Sequence, residues 1–178
     1  MTASPGDRLR PMRWWDIDEV QSLESDLFPQ DAWSIEQFWS ELAHVPETRW
    51  YAVHEDSDGI DGYVGLAAVP PDADVQTIAV ARRSQRRGLG RGLLTALEQE
   101  ALRRGCRHLF LEVLAGNEAA LRLYTTAGFE PMGRRSSYYG PGLDAVVLRK
   151  RLGSEAPPDG TGSTSSPAES AASSQDAL

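Results

Sequence analysis

The chain predicts an α/β fold: a mixed, mostly antiparallel central sheet of about seven strands flanked by about four helices. Two observations carry this expectation. Along residues 8–152, short apolar runs that read as strands recur among segments whose apolar residues fall at helical spacing. Their order is uneven. No helical segment falls between residues 49 and 80, whereas strands and helices alternate after it, which gives an antiparallel front half and one β-α-β-α-β passage at the back.

Each element has its own justification. Arg8 to Trp15 reads as a first strand, and Asp16 to Phe28 as a helix, with Ile17, Val20 and Leu23 (with Leu27) on one stripe. A second helix begins at Ser34, which with Gln37 three residues later matches a capping box; Ile35, Phe38 and Leu42 form its apolar face. Arg49 to His54, Gly62 to Val69 and Val75 to Val80 read as strands joined by the turn-rich segments EDSDGIDG and PPDAD. Leu89 to Arg104 is a long helix stopped by Gly105. Arg107 to Leu114 is a strand, Asn117 to Ala127 a helix stopped by Gly128, and Phe129 to Arg135 and Ala145 to Leu152 the last strands.

From Gly153 onward the composition changes to GSEAPPDGTGSTSSPAESAASSQDAL, without aromatic residues or apolar periodicity. Such a segment buries too little apolar surface to offset its ordering entropy, so residues 1–152 are expected to be the domain and 153–178 a disordered acidic tail. The chain carries 26 acidic and 18 basic residues, a net of −8. The tail holds four of the acids (Glu155, Asp159, Glu169, Asp176) and no base, leaving 22 acids against 18 bases and a net of −4 in the body. That balance argues against a nucleic-acid binder. Cys106 is the sole cysteine, no apolar run is long enough to span a membrane, and the first residues lack the apolar segment of a signal peptide. The expected location is the cytoplasm, with no membrane partner.

The most informative stretch is QRRGLGRG, residues 85–92, between a strand and a helix. A helix start presents unpaired N–H groups and a partial positive charge, glycines let backbone approach a phosphate, and Arg86, Arg87 and Arg91 add charged donors. The stretch therefore suits a pyrophosphate cradle; a surface turn is the plain alternative. It is not a P-loop, because Gly-x-x-x-x-Gly-Lys-Ser/Thr is absent. Nor is it a dinucleotide fingerprint: Gly88 and Gly90 fit, but Leu93 holds the third position and seven residues separate Val80 from Gly88. Glu112, at about the distance of a ribose-binding acid, lies inside its strand rather than at its end.

Gln85-Arg86-Arg87-Gly88-Leu89-Gly90 resembles the Gln/Arg-x-x-Gly-x-Gly/Ala motif of the GNAT acetyltransferase superfamily, which cradles the pyrophosphate of acetyl-CoA. The strand with Ile78, Ala79 and Val80 resembles the one whose backbone lies along the pantetheine arm. LFLEVLAGNEAALRLYTTAGF resembles the block shared by bacterial N-terminal acetyltransferases of the RimI type, which act on alanine at the start of ribosomal proteins. The resemblance covers residues 8–152 and implies the GNAT fold, acetyl-CoA as co-substrate and the N-terminal peptide of a ribosomal protein as acceptor. Gly116 departs from it, standing where a small polar residue is common before the asparagine.

Amide formation from an amine and a thioester needs a neutral amine, a polarised carbonyl and a protonated leaving sulfur. In RHLFLEVL one carboxylate, Glu112, interrupts an apolar strand. A carboxylate held partly out of water takes up protons more readily, which suits a general base; a structural ion pair with an arginine is the alternative. Tyr124, on the helix after Asn117, is a packing residue or a general acid, since a phenol stays protonated at neutral pH. The resemblance implies the base at Glu112, the acid at Tyr124 and a cofactor contact at Asn117, which also reads as an N-cap. A Cys106–His108 nucleophile–base pair is conceivable by spacing. His44, His54 and His108 lack metal-ligand spacing, so no metal is implied. Trp14, Trp15, Trp33, Trp39 and Trp50 read mostly as core, with Trp33, Tyr138 and Tyr139 as candidates to line a substrate groove. Two alternatives stay open: a GNAT acting on a small-molecule amine, and a non-catalytic acyl-CoA-binding module, against which the presence of both Glu112 and Tyr124 counts.

Overall fold

The computed structural model describes residues 8–153 and the backbone of 175–177. The first strand is shorter than its sequence suggests. β1 spans Leu9–Pro11, and Trp14–Asp16 form a 3-10 turn leading into α1, Ile17–Leu27. The reason is local: Asp16 accepts from the Arg13 backbone N–H at 2.7 Å and pairs with Arg10, which draws the chain out of the sheet. α2, Ile35–Leu42, starts at the predicted capping box, where Ser34 accepts from Gln37 N–H and Gln37 from Ser34 N–H. Such a cap stabilises a helix by ~1 kcal/mol.

β2 (Arg49–Asp56), β3 (Gly59–Val69) and β4 (Asp72–Val80) form an antiparallel meander. Both turns are tighter than the sequence reading. Asp56 pairs with Gly59 and Val69 with Asp72, so Gly59–Asp61 and Asp72–Asp74 are strand rather than loop. α3 (Leu89–Arg103) crosses over to β5 (His108–Leu114), and α4 (Glu118–Thr126) leads to β6 (Glu130–Arg135) and β7 (Ala145–Arg151). The strands form one sheet in the order β1-β2-β3-β4-β5-β7-β6, with only β4 and β5 parallel along that path. This is the mixed, mostly antiparallel α/β architecture that the element order predicts.

β4 and β5 pair over a short stretch, Asp72↔His108 to Asp74↔Phe110. Beyond Asp74, β4 turns to a different neighbour: Thr77–Ala79 pair in parallel with β8, Gln175–Ala177. The rest of the tail expected to be disordered, residues 154–174 and Leu178, lies outside the described residues.

Apolar side chains pack on both faces of the sheet. On one, Val64, Leu66, Val75, Ile78 and Val80 meet Leu93, Leu94 and Leu97 of α3 and Tyr124 of α4. On the other, Tyr51, Val53, Tyr63 and Ala79 meet Ile17 and Val20 of α1 and Trp33 and Phe38 at α2. Burying each large side chain contributes ~1.5–3 kcal/mol.

Candidate functional site

The glycine–arginine stretch folds as the backbone argument requires. Gly88 is the N-cap of α3 with φ +88°, left-handed backbone that disfavours L side chains, and open space surrounds the position a Cβ would take. The first helical bond runs from Gly92 N–H to Gly88 O, so the N–H groups of Leu89, Gly90 and Arg91 point out of the helix end with no acceptor within it. Gln85 donates its Nε2–H to Val80 O at 3.1 Å, tying the loop to the end of β4. Leu89 is buried under the helix, anchoring its first turn. Arg82 and Arg83 are engaged elsewhere, with Asp26 and Asp56. Arg86, Arg87 and Arg91 are exposed and make no ion pair among the described residues. Three uncommitted guanidinium groups around unpaired N–H groups fit a pyrophosphate, and with it the CoA part of acetyl-CoA.

Ile78, Ala79 and Val80 are buried at the end of β4, paired on one side with Gly62–Val64 of β3. On the other side Thr77–Ala79 meet β8, along the edge where the sequence resemblance puts the pantetheine arm. Asn117 caps α4, its side-chain oxygen accepting from Ala120 N–H at 3.1 Å, which realises its N-cap reading.

Glu112 and Tyr124 lie on opposite faces of the sheet. Leu109, Leu111 and Val113 of β5 point into the α3/α4 core, so Glu112 projects toward the α1/α2 side. Its side chain is 14% exposed, and Oε1 forms an ion pair with Arg135 Nε at 3.0 Å. Tyr139 donates to its backbone carbonyl at 3.3 Å. Tyr138 also bonds to Glu112, which together with burial pushes the phenol up to about 12. The two tyrosines pack edge to face 5.1 Å apart, with Arg135 over the Tyr138 ring. Tyr124 is fully buried and packs edge to face on Phe129 at 5.7 Å.

The sequence did not point to the acids and phenols that accompany them. Asp74 on β4 is half-buried, and burial pushes its carboxyl up to about 6, with repulsion from Asp72 and Glu112 added. Glu24 of α1 is wholly buried; Oε1 accepts from Trp33 N–H at 3.1 Å, Oε2 has no partner among the described residues, and desolvation pushes the carboxyl up to about 7. Tyr51 donates to Glu41 at 2.8 Å, and Arg49 pairs with the same oxygen at 2.6 Å. His54 and Asp61 form a buried pair at 2.5 Å. Only the interruption of an apolar run by Glu24 and Asp61 hinted at any of these.

Other readings change. Trp33 is buried beneath α2 rather than lining an open groove, and Trp14, Trp15 and Trp39 are 60%, 60% and 48% exposed rather than core. The 3-10 turn sends both adjacent rings outward, and Trp14 stacks on Trp39 at 6.3 Å. Cys106 and His108 do not form a nucleophile–base pair. The thiol donates to the Asp72 carbonyl and burial raises its pKa, opposite to what thiolate chemistry needs, while His108 bonds to the Asp72 carboxylate. Among the described residues no group of three or more His, Cys, Asp or Glu is placed to hold a metal ion, and no helix is long and apolar enough to cross a membrane.

Comparison with known proteins bears on the same region. The acetyltransferase (GNAT) family model matches residues 14–129. The N-alpha-acetyltransferase RimI of Mycobacterium tuberculosis is 36% identical over 144 residues, 78% of this chain and 88% of the relative. The ribosomal protein bS18-alanine N-acetyltransferase of Escherichia coli is 46% identical over 131 residues, 69% of this chain and 88% of the relative. A crystal structure of the ribosomal-protein-S18-alanine N-acetyltransferase from Escherichia coli superposes with a TM-score of 0.74 at 27% identity, covering 83% of this chain and 95% of the other.

Proposed function

We propose, from the premise that this chain belongs to the GNAT acetyltransferase family, that it transfers acetyl from acetyl-CoA to the N-terminal amine of a protein. The acceptor in this reading is the N-terminal alanine of a small-subunit ribosomal protein, as the name of the 46% identical relative suggests, and the reaction takes place in the cytoplasm. Residues 1–152 are the catalytic domain. The observation that carries the reading is the Gly88 cradle with its uncommitted arginines, set beside a strand opening that Glu112 faces.

Acetyl-CoA, when bound, supplies the activated acyl group. Arg86, Arg87, Gly88, Leu89, Gly90 and Arg91 hold its pyrophosphate, Asn117 contacts it from α4, and the backbone of Ile78, Ala79 and Val80 lies along its arm. Glu112 takes a proton from the incoming amine, directly or through water, and Tyr124 donates its phenolic proton to the departing sulfur.

Amine basicity favours an N-terminus. At pH 7.5 an α-amine of pKa ~8 is roughly a quarter neutral, whereas a lysine of pKa ~10.4 is neutral to about one part in a thousand. A peptide starting Ala-Arg and carrying one internal lysine should therefore be acetylated on its α-amine, as read by mass spectrometry against the same peptide blocked at its N-terminus. Preferential lysine acetylation, or turnover only with small-molecule amines, would overturn the acceptor assignment.

A further inference from the structure

Glu112 is not alone at the opening between β4 and β5. Asp74 is the last β4 residue to pair with β5 before the strands part, opposite Phe110. Ala73 and Val75 point into the α3/α4 core, so Asp74 projects to the other face, the one Glu112 occupies two residues beyond Phe110. The commitments of the two acids differ. Glu112 already neutralises Arg135 at 3.0 Å, whereas the Asp74 carboxylate makes no hydrogen bond or ion pair among the described residues. Asp74 can therefore take a proton without giving up a charge pairing.

We propose that Asp74 is a second catalytic carboxylate, placed on β4 to take the first proton, that of the ammonium form of the incoming amine, across the opening from Glu112. This rests on the acetyltransferase reading above. The ammonium proton passes to an Asp74 oxygen, the freed lone pair forms the C–N bond as the C–S bond breaks, Tyr124 protonates the sulfur, and the proton that the amide nitrogen then loses passes to Glu112 and on to the Tyr124 phenolate. Asp74 returns its own proton to water.

Proton affinity supports the geometry. Burial lifts Asp74 from the ordinary 3.8 to about 6. Transfer from an α-ammonium of pKa ~8 is then uphill by about two pH units, roughly 100-fold, instead of the roughly 10,000-fold an ordinary aspartate faces. The charged and titratable groups around it are Asp72 on β4, Glu112 and His108 on β5, Arg49 on β2 with its partner Glu41 on α2, and Arg135 with Tyr138 after β6. Asp72 and Glu112 raise its proton affinity, and Arg49 and Arg135 lower it.

The test compares Asp74→Asn, Asp74→Glu and Glu112→Gln in the full chain, using an Ala-initiated peptide as acceptor. The readouts are kcat from pH 5 to 9 and acetyl-CoA affinity by calorimetry. Asp74→Asn should lower kcat roughly 100-fold with unchanged acetyl-CoA affinity and lose the acidic limb near pH 6, and Asp74→Glu should recover part of the rate. Glu112→Gln should keep that limb but move it to lower pH, because the charge that raises Asp74 is gone. A wild-type kcat and limb in Asp74→Asn, or a limb that vanishes with Glu112→Gln alone, overturns the role of Asp74. Absence of acetyl transfer by the unmodified protein would instead refute the acetyltransferase reading, and this inference with it.

Discussion

Glu24→Gln probes a charge the fold holds at a cost. Glu24 is wholly buried, spends one oxygen on Trp33 N–H, and has its carboxyl lifted from 4.5 to about 7, chiefly by desolvation. The folded state thus binds this proton more tightly than the unfolded chain, so the associated stability is complete below pH 4.5 and lost as pH rises through about 7. At 1.36 kcal/mol per unit, the loss between pH 5 and pH 7.5 is ~2 kcal/mol. Glutamine keeps an oxygen for Trp33 but does not titrate. Its stability relative to wild type should therefore improve by ~2 kcal/mol between those pH values, equivalent to ~4–8 °C in melting temperature for a domain of this size. Urea denaturation of both proteins at pH 5 and pH 7.5 measures it, and the comparison cancels every other titrating group as well as any fixed cost of the buried amide. A difference between variant and wild type that stays constant over this range would refute the argument.

Three further outcomes are expected. Gly90→Val places a branched side chain in the first turn of α3 and should weaken acetyl-CoA binding roughly 10- to 100-fold, the worth of one hydrogen bond to a charged group, while the protein stays folded by circular dichroism. Tyr124→Phe should lower kcat roughly 100-fold or more with unchanged acetyl-CoA affinity, and a near-wild-type rate would return the residue to packing against Phe129. A chain ending at Gly153 lacks the β8 segment that pairs with Thr77–Ala79. If β8 holds that edge half to four-fifths of the time, calorimetry should show acetyl-CoA binding roughly two- to fivefold tighter, and equal affinity refutes competition for the edge.

Most element positions were legible because local signals agreed with tertiary ones. The Ser34–Gln37 capping box, Gly105 after α3 and Gly128 after α4 each mark an end that the structure reproduces. The start of β4 was not legible. PPDAD has the composition of a turn, yet pairing with Ala68 and Val69 on one side and His108 to Phe110 on the other holds Asp72–Asp74 extended. That override hid Asp74, because a loop aspartate needs no explanation and a strand aspartate facing a second acid does. Glu112 was visible as an interruption of an apolar run, but its ion pair with Arg135 joins β5 to β6 across β7, a register no local pattern encodes. The exposed tryptophans escaped for a related reason: Trp14 and Trp15 follow a strand signal, and only the Asp16 contacts that end the strand send them outward.

The two cores lie on opposite faces of a single sheet and share none of their buried side chains. Substitutions in the α1 and α2 helices are separated from those in α3 by the whole sheet, so their costs should add. On the proposed assignment of the cradle to the donor, α3 can stay fixed while α1, α2 and the loop through Trp33 are rebuilt for a different amine. A library confined to the α1 and α2 helices should then change what receives the acetyl group while leaving the cradle on α3 as it is.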